Sequence, residues 1–137
     1  MSFGHGAARN NFPRFAANDR CPCGSGQEFG QCCEPLLDGQ PAPTAERLMR
    51  SRYSAFVTGN AEYLSTTWFA ATRPERLQLD PKVQWLGLEV IASTESGDSA
   101  TVEFKARSRR GRAVDEQHER SVFTRRAGRW LYVDGEL

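Results

Sequence analysis

The sequence predicts an α+β protein: a small cysteine-bound metal knuckle, then two helices, then an antiparallel sheet. Three observations carry that expectation. All four cysteines fall between Cys21 and Cys33, in the pattern C-x-C-x8-C-C. A helical repeat of apolar residues runs from Ala45 to Val57 and resumes near Tyr63. From Val83 onward the repeat shortens to two, the spacing of strands with one buried face. Helices first and strands afterwards indicate α+β.

At 137 residues the chain has room for one ordinary domain and a small appendage. Hydrophobic content of 39% with 26% charged residues describes a soluble globular chain, and a mean hydropathy of -0.60 places part of the polarity in loops. The formal net charge of +1 gives no overall pull toward nucleic acid or membrane. No apolar run approaches a membrane span. The opening MSFGHGAARNNFPRFAANDR lacks the apolar stretch of a signal peptide, so cytoplasm is the expected compartment.

Residues 1–19 read as a disordered leader, because Phe3, Phe12 and Phe15 stand in no period among Gly, Asn and Ala. The knuckle occupies residues 20–36. Cys21 and Cys23 can grip one side of an ion, and Cys32 and Cys33 the other. Thiolate is the ligand suited to a tetrahedral zinc-type site, and zinc is the expected cofactor, although a single iron fits the same shell. Four thiolates leave no position for water or substrate, so the site is structural or adhesive, not catalytic. Gly24-Ser25-Gly26 supplies a tight turn whose N–H groups can support the sulfurs. The alternatives are a pair of disulfides or four ordinary buried thiols. Joining neighbours such as Cys32 and Cys33 would strain them; cross-pairing stays open. Clustered cysteines without a secretory signal favour the metal. Gln27-Glu28-Phe29 begins a short helical turn with Phe29 packing beneath the knuckle. So little apolar surface is buried there that bound metal must supply most of the folding energy, roughly 10–16 kcal/mol in comparable modules.

A linker over residues 37–43 leads to the main domain at residues 44–137, with Leu36 and Leu37 able to tuck the knuckle against it. Pro43 excludes helix before Thr44, which caps a helix over residues 44–57. Ala45, Leu48, Met49, Tyr53, Phe56 and Val57 form its apolar face; Glu46, Arg47, Arg50 and Ser54 form the opposite one. Gly59 ends it, and Asn60 caps a second helix through Ala61, Tyr63, Leu64 and Trp68. The tract from Thr72 to Leu77 is a turn with a short helix. Strands follow over residues 83–91, 100–107, 118–125 and 130–133, with Val102, Phe104 and Ala106 facing inward. The arginine-rich residues 107–112 form a loop. A curved sheet wrapping the helices leaves a hollow where the two diverge.

The cysteine stretch resembles the SEC-C metal-binding motif of the bacterial preprotein-translocase motor ATPase, through Cys21-Pro22-Cys23-Gly24-Ser25-Gly26, Phe29 and Cys32-Cys33. Many such tails end in Cys-His; Cys33 makes this site all-thiolate. The rest is similar to the YchJ-like family, through Arg52-Tyr53-Ser54-Ala55-Phe56, Thr67-Trp68, Thr72-Arg73-Pro74, Trp85-Leu86-Gly87-Leu88, His118-Glu119-Arg120-Ser121 and the stretch from Trp130 to Gly135. That resemblance implies a cone-shaped domain like nuclear transport factor 2 and a bound metal, with no established activity. The fold itself serves enzymes and binding modules alike.

A pocket in such a cone would be lined by Tyr53, Trp68, Trp85, His118 and Trp130, with Arg52, Arg73, Glu119 and Asp134 as polar candidates. His118 beside Glu119 suggests a general base. Neighbours on a strand point to opposite faces, however, and a histidine hydrogen-bonded within the sheet is the favoured role. Arg73 suits a structural role at the turn before Pro74. Arg107, Arg109, Arg110 and Arg112, joined by Arg125, Arg126 and Arg129, would make a basic rim for RNA or an acidic protein if the sheet gathers them. No groove-reading motif or stacking platform accompanies them, and solvated loops are the default. The leading functional expectation is a non-enzymatic protein whose knuckle contacts a protein or the ribosome, as the resemblance to the translocase tail implies. The alternatives are an enzyme or ligand binder using the cone hollow, and a sensor whose thiolates release metal on oxidation.

Overall fold

The computed structural model describes residues 11–136. A short hairpin opens the knuckle: Arg20 bridges Glu28, and the Cys21 amide donates to the Gln27 carbonyl at 2.9 Å. Gly24 and Gly26, at φ of 79° and 86°, make the reversal between them. A 3-10 turn at Phe29–Gln31 then carries the chain back to Cys32 and Cys33, with Phe29 buried beneath it. Helix α1 (Glu34–Leu37) follows and buries Leu36.

Helix α2 (Ala45–Thr58) is the element on which everything else packs. Thr44 caps its start by accepting from the Arg47 amide, and Gly59, left-handed at φ 74°, ends it. The sequence assigned it one apolar and one solvated face; the structure covers most of both. Ser51 and Ser54 are fully buried, Ser54 because the knuckle sits on it, with its hydroxyl 3.7 Å from the Cys21 sulfur. Helix α3 (Ala61–Thr66) is capped by Asn60, which accepts from the Tyr63 amide. It ends before Trp68, contrary to expectation. Sheet pairing takes over there: the Tyr132 amide donates to Thr67, and the Phe69 amide donates to Tyr132, each at 2.8 Å. No helix forms between Thr72 and Leu77, where nearly every residue is exposed and a helix would have nothing to bury.

Four antiparallel strands make a meander in chain order: β1 (Val83–Ser96), β2 (Ser99–Arg110), β3 (Ala113–Arg126) and β4 (Arg129–Glu136). The inward row Ala100, Val102, Phe104 and Ala106 is buried as its alternation predicts. Interruptions of register after Trp85 and Val90 bend β1 and turn Leu86 and Ile91 outward. The strands run longer than the apolar alternation indicated. β2 and β3 stay paired to Arg110 and Ala113, so most of the expected arginine loop is strand. Cross-strand pairs such as Arg107 with Glu116 and Ser108 with Asp115 sustain polar arms that carry no apolar signal.

The second half of the expected disordered leader is ordered. Phe12 is buried with its ring over Gly59, where any Cβ would collide with it, and Phe15 packs on Phe29 with ring centroids 5.8 Å apart. Those phenylalanines lack a period because they pack singly, and periodicity detects only faces. Residues 1–10 of that leader lie outside the described residues. The cysteines, Leu48, Tyr53, Val102, Phe123 and Trp130 belong to one buried cluster, so knuckle and cone share a core.

Candidate metal centre and cone hollow

The hairpin and the 3-10 turn bring the four cysteine sulfurs within 4.8 Å of one another, and all four residues are buried. Cys23 and Cys32 sulfurs are 3.6 Å apart and those of Cys32 and Cys33 4.0 Å. A tetrahedron with metal–sulfur bonds of about 2.3 Å has edges of about 3.8 Å, so this spacing fits one ion. Disulfide sulfurs would stand about 2 Å apart; all four cysteines are free.

The protonation pattern fits a metal as well. Hydrogen bonding with Cys23 pushes the Cys21 thiol up to about 11, while Cys23 is driven far below an ordinary thiol by bonds from Cys21 and Cys33. The Cys33 thiol is raised, first by Cys21 and then by Cys23 and burial. The thiols thus bond to one another, and a cation in their midst would take the place of their protons. Support comes from several sides. The Ser25 hydroxyl lies 3.1 Å from the Cys32 sulfur, and the backbone amides of Cys23 and Ser25 favour the Cys21 and Cys23 thiolates. The Gly24 amide does not share that work as expected, since it donates to the Cys21 carbonyl.

Two arginines from α2 hold the knuckle's backbone. Arg50 Nη1 donates to the Cys23 carbonyl at 2.9 Å and Arg47 Nη2 to that of Cys32 at 3.4 Å. Burial opposes the Arg50 charge, but Glu46 at 3.1 Å and Cys23 more than offset it and raise its pKa. The turn at Gly24 rests against β1, where an added Cβ would fall 3.2 Å from the Leu88 carbonyl.

Comparison with known proteins accounts for both parts. Residues 44–135 match the family model described as "YchJ, middle NTF2-like domain", and residues 18–35 match the SEC-C motif. The chain belongs to the YchJ-like family. Among YchJ-like relatives, a UPF0225 protein of Polaromonas is 50% identical over 85% of this chain and 91% of its own length. One from Streptomyces coelicolor is 48% identical over 85% and 94%. A solution structure of a SEC-C motif containing protein from Rhodopseudomonas palustris superposes with a TM-score of 0.76 at 38% identity, covering 85% of this chain and 96% of that one. A crystal structure of another, from Psychrobacter arcticus, gives 0.71 at 33%, covering 86% and 82%. The YchJ-like cone is therefore the expected NTF2-like domain, and its cysteine cluster can hold a metal ion.

The hollow lies between α2 and the concave face of the sheet and encloses about 260 Å³. Tyr53, Trp68 and Trp85 line it as the sequence suggested. His118 does not. Strand alternation puts it on the outer face, where Nε2 meets the Glu103 carboxylate at 2.6 Å, while Glu119 faces the hollow. No catalytic base is assembled there from His118. Trp130 lines a separate cleft instead, because β4 turns it toward the linker. Of the polar candidates, Arg52 and Glu119 reach the hollow. Arg73 donates to the Trp68 carbonyl at 3.1 Å, the structural role expected of it, and the Asp134 carboxylate accepts from the Gly135 amide at 2.8 Å. Gln117 and Ser121, missed in the sequence, share the inward row of β3 with Glu119, and counting by two from Glu119 would have found them.

The two arginine groups stand at opposite ends of the sheet, one at the β2–β3 turn and the other at the β3–β4 turn. About twelve residues of strand, some 40 Å, separate them. They are partly engaged already: Arg110 pairs with Asp80 at 2.8 Å, Arg125 pairs with Asp98 at 3.0 Å, and Arg129 donates to the Gly39 carbonyl. No continuous basic rim results.

Proposed function

We propose that this chain is a non-catalytic binding protein of the cytoplasm. One zinc ion on Cys21, Cys23, Cys32 and Cys33 holds the knuckle in shape, iron being the other ion four thiolates suit, and the knuckle helps present a cleft to a protein partner, a ribosomal protein surface among the candidates. The observation that carries the reading is the closure of the sulfur cluster. Four buried thiols leave no open coordination position, so the ion's work is to shape the surface around it. Beside it runs a cleft of about 860 Å³ whose walls come from Phe15 and Phe29, from Leu37 in α1 and from Tyr63 and Trp130 of the cone. Its charges alternate, with Arg14 and Arg129 against Glu34, Asp38 and Glu62. A mixed lining suits a polypeptide better than a polyphosphate, which needs a continuous run of cations. Among the described residues no helix is long and apolar enough to cross a membrane.

The test combines metal content with partner capture. Protein purified without added metal should carry one zinc or iron per chain. Cys32→Ser with Cys33→Ser should lose the ion and the partner; Glu62→Arg, in the cleft, should keep the ion and lose the same partner. Retention of that partner by both variants would refute the reading.

A further inference from the structure

The cone hollow contains a cation and an anion that do not pair with each other. Arg52 is 6% exposed, its guanidinium held 5.0 Å from the Trp68 ring centre and 4.6 Å from that of Tyr132. Its hydrogen bonds, to the Leu64 carbonyl at 2.8 Å and the Thr67 hydroxyl at 2.7 Å, both leave from Nη1. Nε and Nη2 have no hydrogen-bond partner among the described residues. Neither is sealed in protein, since the buried side-chain nitrogens lacking a partner are those of Trp68 and Trp130. Arg52 lines the hollow, from which a ligand could reach these two groups. Burial lowers Arg52 to about 10, which leaves it a cation at neutral pH. The ring of Trp68 belongs to the same wall, although its Nε1 is buried away from the hollow.

Glu119 supplies the opposite charge. Its Oε2 accepts from Ser121 at 2.6 Å and Tyr132 at 3.3 Å, and its Oε1 from Gln117 at 3.1 Å. A carboxylate oxygen accepts two hydrogen bonds, so Oε1 keeps one open position. Gly135 makes room for the group: a Cβ there would fall 2.7 Å from Oε2. The remaining walls are apolar and mostly aromatic, with Tyr53, Phe56 and Trp85 among them. The volume corresponds to roughly nine waters, enough for one small molecule.

We propose that this hollow binds a small zwitterion of the amino-acid class with an apolar side chain. The carboxylate takes the free Nε and Nη2 of Arg52, the ammonium donates to Glu119, and the side chain lies on Tyr53, Phe56 and Trp85. A planar guanidinium with two parallel N–H groups suits a carboxylate, and each charge in the hollow then acquires a partner. The proposal is independent of the protein-partner reading of the knuckle cleft.

The test is a titration of the metal-loaded full chain, followed through its tryptophan indole N–H resonances. The probes are leucine, 4-methylpentanoate (leucine without its ammonium) and isoamylamine (leucine without its carboxylate). Leucine should bind saturably at millimolar concentration, and each truncated probe at least about tenfold more weakly, as loss of a charge-assisted bond implies. Glu119→Gln keeps the shape of the site; it should weaken leucine by a similar factor and leave 4-methylpentanoate unweakened. No saturable shift with leucine, equal binding of either truncated probe, or an unchanged leucine affinity in Glu119→Gln would each overturn the proposal.

Discussion

The knuckle and the cone meet on one helix yet are held by different forces. On its outer side α2 faces four sulfurs, two arginine-bound carbonyls and little apolar surface. Toward the sheet it faces an extended apolar core that includes Phe104 and Phe123, with Arg52 as its one buried cation among the described residues. The contrast teaches that a short loop-rich segment depends for rigidity on what its four sulfurs could coordinate, whereas the sheet becomes rigid through buried area. Shared packing couples the two.

Removing the ion tests that coupling most severely. Chelation, or Cys32→Ser with Cys33→Ser, withdraws a contribution of roughly 10–16 kcal/mol in comparable modules. Because the sulfurs belong to the cluster that includes Tyr53 and Trp130, thermal unfolding followed by tryptophan emission should shift down for the whole chain. A cone transition unmoved by chelation would break the comparison. From the other side, Phe123→Ala empties a site only 1% exposed and should cost about 3–5 kcal/mol in denaturant unfolding, with one ion per chain still bound. Loss of metal in that variant would show the knuckle to depend on the sheet as well.

Smaller changes sharpen the boundary. Arg50→Met removes the bond to the Cys23 carbonyl; supports of this kind are worth about 10–100-fold in metal affinity, measurable by competition with a chelator. Thr44→Ala deletes the cap of α2 and should lower stability by about 1 kcal/mol without altering metal affinity. The smallest effect belongs to the far edge of the sheet. Arg110 holds the exposed Asp80 carboxyl below its ordinary value, so any stabilisation is present above that value and fades as pH falls through the lowered one. Arg110→Gln should raise the Asp80 titration midpoint in a carbon-detected NMR series and leave the knuckle untouched.

What the sequence disclosed follows the same division. Thr44, Gly59 and Asn60 announced the helix ends because capping is local chemistry, and the inward row of β2 announced itself through alternation. The cysteines were legible because so few side chains suit a closed metal shell. Burial of Ser54 was not, since it depends on the knuckle folding over α2 from elsewhere in the chain. The early end of α3 was hidden for a related reason: the pairing that stops it comes from Tyr132. His118 went astray only in placement. Its place next to Glu119 on a strand was visible, and that adjacency sends one side chain outward and the other into the hollow.

The contact between Arg129 and Gly39, 90 positions apart, bears on how the molecule is made. During synthesis the four sulfurs leave the ribosomal tunnel well before the strand that closes the cone has been translated. An ion can therefore be captured by the nascent chain while α2 still awaits its sheet, and the loaded loop then offers a preformed seat on which later segments settle.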